Sequence, residues 1–183
     1  MSEGFIIEQA APTLAGIKTG NLFTCPYDSK ETVIEQVKEI NRHLVPKGLC
    51  LIPLRYSEKR VLLYLYRPAH LKRDLANTQA LDILRSFGYD AGTSDQCIVH
   101  LISRLRSGDE FPHEIGLFLS YPPEDVKGFI ENDAREYKYC GLWKVYGDEE
   151  KAKALFARYT KCANIYCRLL KAGFGIDQLA VAV

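Results

Sequence analysis

Two apolar runs, Leu49-Cys50-Leu51-Ile52-Pro53-Leu54-Arg55-Tyr56 and Arg60-Val61-Leu62-Leu63-Tyr64-Leu65-Tyr66-Arg67, are separated only by Ser57-Glu58-Lys59. Strand-forming runs joined by a short polar turn read as a β-hairpin. Pro53 has no N–H for a ladder hydrogen bond, so the first strand is an edge or is bulged there. The second run is apolar throughout and reads as a central strand. A further strand is expected over residues 17–24, closed by Pro26.

Helical periodicity surrounds this hairpin. A short helix is expected over Phe5–Ala11, interrupted by Pro12. From Asp28 or Ser29 as N-cap, Val33, Val37, Ile40 and Leu44 recur at helical spacing until Pro46-Lys47-Gly48 stops the run. Pro68 opens a short helix through Leu75, and residues 78–87 and 94–106 continue as helices. In the last of these Ile98, Leu101, Ile102 and Leu105 make an apolar stripe, while Cys97, His100 and Arg104 share the flank beside it. After Gly108-Asp109-Glu110-Phe111-Pro112, the run Ile115–Ser120 reads as a strand, Pro122–Glu131 as a helix and Leu142–Tyr146 as another strand. A long helix follows from near Asp148 to Gly173, with Ala152, Leu155, Phe156, Tyr159, Ala163, Tyr166 and Leu170 on one face. The tail from Ile176 to Val183 is apolar at its end and is expected to pack down. These elements predict an α+β (mixed α/β) fold: one domain over residues 1–183, with a mixed sheet of about five strands covered by helices.

Composition narrows the function classes. Twenty-four basic residues against twenty-three acidic ones leave a net charge of +1, so no global field draws nucleic acid or an anionic membrane. Locally, Arg55, Lys59, Arg60, Arg67, Lys72 and Arg73 interleave with Tyr56, Tyr64 and Tyr66. Alternating strand faces account for that pattern, and a nucleic-acid partner is not expected. The start Met1–Ile7 carries no signal-peptide pattern, and no segment approaches the ~20 apolar residues of a membrane span. A cytoplasmic location is expected. The six cysteines are scattered and are expected to remain thiols.

Three stretches together resemble an uncharacterised bacterial family, a domain of unknown function found mainly in anaerobic Gram-positive bacteria. They are Ala11-Pro12-Thr13-Leu14-Ala15-Gly16-Ile17-Lys18-Thr19-Gly20-Asn21-Leu22-Phe23, Phe111-Pro112-His113-Glu114-Ile115-Gly116-Leu117-Phe118-Leu119-Ser120-Tyr121-Pro122, and Gly141-Leu142-Trp143-Lys144-Val145-Tyr146-Gly147-Asp148. In that family a His-Cys pair often precedes the Ala-Pro-Thr-Leu stretch, where this chain has Gln9-Ala10. The resemblance implies a redox or iron-related setting and no specific activity.

The candidate chemistry lies in a few positions. His113 and Glu114 precede the run at 115–120, where an imidazole with a carboxylate beside it suits a general base; as loop residues they would simply satisfy turn backbone and solvent. Cys140 follows Tyr137-Lys138-Tyr139 and precedes Lys144, and cationic neighbours activate a thiol. If the strands at 115–120 and 142–146 pair in parallel, His113 and Cys140 begin them on the same side. The bland reading of Cys140 is apolar packing. Lys18-Thr19-Gly20-Asn21 suits a loop that holds a carboxylate or phosphate, without the glycine spacing of a P-loop. Cys162 and Cys167 lie too far apart around a helix to share a metal, and no metal-ligand spacing occurs elsewhere. No serine-nucleophile elbow is present.

These positions order the functional classes. First comes a cytosolic binding protein for a small cofactor or a redox or iron-related ligand, with Lys18, Thr19, Asn21, Tyr121 and Lys144 as ligand-binding residues beside His113, Glu114 and Cys140. The alternatives are a small enzyme using His113, Glu114 and Cys140 as catalytic residues, and a protein–protein interaction module that docks a partner, such as a redox protein.

Overall fold

The computed structural model describes residues 1–90, 92–107 and 111–182. Gly108-Asp109-Glu110 of the expected loop and Val183 of the tail lie outside the described residues. The chain divides into two compact units, Met1–Ala69 with Tyr159–Val183, and His70–Arg158.

In chain order the elements are α1 (Glu3–Leu14), β1 (Gly20–Pro26), α2 (Lys30–Leu44), β2 (Cys50–Tyr56), β3 (Arg60–Tyr66), α3 (Pro68–Leu75), α4 (Thr78–Ser86), α5 (Ser94–Ser107), α6 (Ile115–Phe118), α7 (Pro123–Glu131), β4 (Tyr139–Cys140), β5 (Lys144–Val145), α8 (Glu149–Lys171) and α9 (Ile176–Leu179). No helix among the described residues is long and apolar enough to cross a membrane.

In the first unit the three strands form an antiparallel sheet in the order β1-β3-β2, so the apolar β3 is central as its sequence predicts. Leu63 faces Phe23 on one side and Pro53 on the other, and the register of the edge strand β2 slips between Pro53 and Arg55. The expected bulge is therefore where the missing N–H requires it. Ser29 caps α2 by accepting from the Thr32 N–H, and Val33, Val37, Ile40 and Leu44 are all buried. In α1 the backbone leaves helical geometry at Ala10, ahead of the internal Pro12, because proline disfavours regular helix in the turn before it. Ile6, Ile7, Leu14, Leu51, Leu63 and Leu65 build the core, which Cys162 and Tyr166 of α8 and Ile176 and Leu179 of α9 complete. The tail packs down as expected, with the Val181 N–H donating to the Leu14 carbonyl.

Arg67, one of the basic residues that interleave with the strand tyrosines, is 1% exposed. Its Nε donates to the Thr13 carbonyl and its Nη2 to those of Leu14 and Val181, each at 2.8 Å, while Nη1 reaches the Lys47 carbonyl at 3.4 Å. The last carbonyls of a helix have no partner of their own, and the helix dipole makes that end negative. A planar cation with five donors answers both needs at the end of α1.

The second unit corrects the expected sheet. The run Ile115–Ser120 is not a strand; its first four residues form the helical turn α6. Residues 115–119 are all buried, so no two-residue alternation exists to tell strand from helix. Gly116 fits the helical path because Val126 and Tyr121 press on it: a Cβ there would stand 2.8 Å from Val126 Cγ2. The strand expected over 142–146 contracts to β5, which pairs antiparallel with β4. Five strands are present among the described residues, divided between two antiparallel sheets instead of one mixed sheet.

Candidate ligand site

The helical turn at 115–118 follows a turn whose side chains point in opposite senses. His113 is exposed, and Glu114 is 0% exposed. Glu114 Oε1 accepts from the Tyr89 hydroxyl at 2.9 Å and from Arg104 Nε at 2.5 Å. Its Oε2 is buried with no hydrogen-bond partner among the described residues. The flank of α5 singled out by spacing is the one that meets this carboxylate. Arg104 pairs with Glu114 and lies over the Phe87 ring at 5.0 Å, while the His100 ring packs 4.1 Å from that of Tyr89. A buried carboxylate with only one oxygen satisfied is costly in a low-dielectric interior.

Burial, the charge of Glu114 and the hydrogen bond to it all push the Tyr89 hydroxyl above its ordinary pKa. Burial likewise raises the Cys97 thiol. Tyr89 is thus a neutral donor at physiological pH, and Cys97 behaves as an apolar wall group instead of a nucleophile.

Both residues border a cavity of about 540 Å³, walled by α3, α4, residues 89, 90, 92 and 93 and the first turn of α5. Leu75, Leu84, Tyr89 and Cys97 give it an apolar lining, and Thr93 and Ser94 contribute hydroxyls. A volume of this size lies inside the range of small-molecule sites. Tyr89 therefore belongs to both: it lines the cavity, and its hydroxyl holds Glu114.

A second buried carboxylate organises the β4–β5 hairpin. Asp125 accepts from Trp143 Nε1 and from the Tyr146 and Gly147 N–H groups, each at 2.8 Å. It lies in the first turn of α7, where the helix dipole favours an anion. Trp143 is clamped between Tyr121, stacked at 4.5 Å, and Phe156, edge-on at 4.4 Å.

The expected site residues are divided between the two units, with Lys18, Thr19 and Asn21 in the first and the others in the second. His113 packs against Phe129, ring centroids 4.9 Å apart. Cys140 is exposed and lies opposite Lys144 in the β4–β5 ladder. Lys144 Nζ donates to the Ala134 carbonyl and sits over the rings of Tyr137 and Phe129 at 4.8 and 5.9 Å. His113 and Lys144 thus share Phe129, but no hydrogen bond joins His113 to Cys140 among the described residues. With a helical turn at 115–118, the parallel strand pairing that would have aligned them does not exist. Tyr121 serves the Trp143 stack. In the first unit the Thr19 carbonyl accepts from the Arg67 N–H, and Asn21 Oδ1 accepts from the Thr13 hydroxyl at 2.8 Å. Among the described residues no three His, Cys, Asp or Glu side chains gather as a metal-ligand set. Tyr89 was not legible as a site residue: it follows the Gly88 that ends a helix, and nothing in its spacing marks it.

Lys18 is buried, with Nζ 5.9 Å from the centroid of the Tyr159 ring, and burial lowers its pKa to about 8. Between that value and the ordinary 10.5 the unfolded chain holds more protons than the folded one, so this group's contribution to stability rises with pH across the window. Wild type is expected to gain about 2–3 kcal/mol on Lys18→Met between pH 7.5 and 10.5. Paired urea titrations along the pH series measure it, and a constant difference would show that Lys18 stays ordinary.

No curated protein and no solved structure matches this chain. A family model does match, and over nearly the whole chain, including all three stretches singled out by resemblance. On residues 6–180, the chain belongs to the DUF3793 family, described as proteins of unknown function.

Proposed function

We propose that this protein is a small-molecule binding protein whose site is the cavity of the second unit. The observation that carries the reading is Tyr89, which walls the cavity and donates to the wholly buried Glu114. A ligand meets an apolar surface with a few fixed polar groups behind it, the usual composition of a small-molecule site. Arg104 and Glu114 position the Tyr89 ring, and the half-satisfied carboxylate makes that positioning sensitive to what presses on the ring. The function is a cytoplasmic one in this reading, and the two units act as one domain.

Native mass spectrometry with an absorption spectrum, on protein purified without oxygen from a near-native host, is the test. A bound mass is expected in wild type and its loss in Ala76→Trp, which places an indole in the cavity from the exposed end of α3 while circular dichroism stays unchanged. A visible absorption band would assign the ligand to the redox or iron-related class. Retention of the mass in Ala76→Trp, or ligand-free wild type, would overturn the reading.

A further inference from the structure

The cavity's charged groups are segregated by element. The two cations, Lys72 and Arg85, come from α3 and α4, whereas the two carboxylates, Asp90 and Asp95, come from the loop after α4 and the first turn of α5. Among the described residues the side chains of Lys72, Asp90 and Asp95 have no ion-pair or hydrogen-bond partner. Arg85 has only an exposed contact with Asp82 at 3.4 Å, which a ligand exchanges at little cost. Leu84 and Tyr89 add apolar surface to the same lining. The first turn of α5 is already served by its own side chains, since Gln96 Oε1 accepts from the Thr93 N–H and Thr93 Oγ1 from the Gln96 N–H. The site does not therefore reduce to an anion on a helix end.

We infer that the cavity selects a zwitterion with an apolar body, of the amino-acid type, its carboxylate at Lys72 and Arg85 and its ammonium at Asp90 and Asp95. This rests on the small-molecule reading above and adds the class of ligand. A molecule carrying one charge leaves the other pair unmatched, and complementary potentials at both pairs give selectivity beyond the area buried.

Calorimetric titration of the full chain with three probes sharing one ring separates the cases: L-phenylalanine, 2-phenylethylamine and 3-phenylpropionate. Phenylalanine is expected to bind about fivefold or more tighter than either single-charge analogue, the scale of one partly exposed ion pair. Lys72→Gln with Arg85→Gln should remove its advantage over the amine, and Asp90→Asn with Asp95→Asn its advantage over the acid. All four positions are exposed, so these variants should fold. If all three probes bind alike and Ala76→Trp blocks them, the cavity is a small-molecule site and the zwitterion inference is wrong. If none binds, or Ala76→Trp changes nothing, the inference falls because the cavity does not take such molecules. A chromophore that co-purifies with wild type would then keep the small-molecule reading alone.

Discussion

Arg67→Met is expected to destabilise the first unit by about 4 kcal/mol, most of what a marginally stable protein has to lose. Methionine keeps much of the apolar stem, so the loss isolates the guanidinium. The Thr13 and Leu14 carbonyls keep one N–H donor each, from Gly16 and Val181, but lose the charged one, and the Val181 carbonyl loses its guanidinium bond, at about 1.5–3 kcal/mol for each bond to a charged donor before relaxation. Burial already pulls the Arg67 pKa below its ordinary value, yet no other cation replaces it. Arg67→Lys should recover only part of the loss, because one ammonium does not span carbonyls on α1 and on the tail. Urea unfolding followed by far-ultraviolet circular dichroism gives the number: the midpoint should fall with little change in slope. A variant within 1 kcal/mol of wild type would mean that water replaces the guanidinium.

Asp125→Ala should cost the second unit about 3 kcal/mol, since two backbone N–H groups and the indole N–H lose a common charged acceptor. The effect has a direct optical reporter. Trp143 is the single tryptophan of the chain, so fluorescence reads the site where the bond is broken. The expected result is a red-shifted emission already in native buffer, as the indole loses its anchor between Tyr121 and Phe156. Asp125→Asn should be milder, because the carboxamide oxygen can still accept from the Tyr146 and Gly147 N–H groups while its NH2 faces the indole N–H. An unshifted emission in Asp125→Ala would show that the aromatic clamp alone holds the hairpin.

The elements that sequence reasoning places well are those with an unambiguous period. The apolar stripe of α2, the hairpin of β2 and β3 and the long α8 each repeat a pattern that only one backbone geometry satisfies. Pro53 announces its bulge through a missing donor. The segment 115–120 defeats the same logic because its leading residues are buried all round, and a short apolar run carries no phase. The candidate site divides the same way. The flank of Cys97, His100 and Arg104 is visible by helical spacing, but its partners Tyr89 and Glu114 reach it from other segments, across turns whose geometry no local pattern encodes. Glu114 was singled out for the chemistry of its residue type, and burial gives it a different setting from that of its neighbour His113. The burial of Arg67 and Asp125 is not legible in the sequence, because a charged residue at the end of a strand or the start of a helix ordinarily faces water. Both are inside because each satisfies several main-chain groups at once, a property of the assembled fold.

The first unit's division between the two ends of the chain sets an order of events during synthesis. Residues 1–69 emerge from the ribosome first, yet their core lacks Cys162, Tyr166, Ile176 and Leu179, and Arg67 lacks its Val181 acceptor, until the last segment is made. The second unit is continuous in sequence and has all its parts earlier. The usual N-terminal-first sequence of folding is thereby inverted: the core under the three-stranded sheet stays incomplete while residues 70–158 already have all their parts.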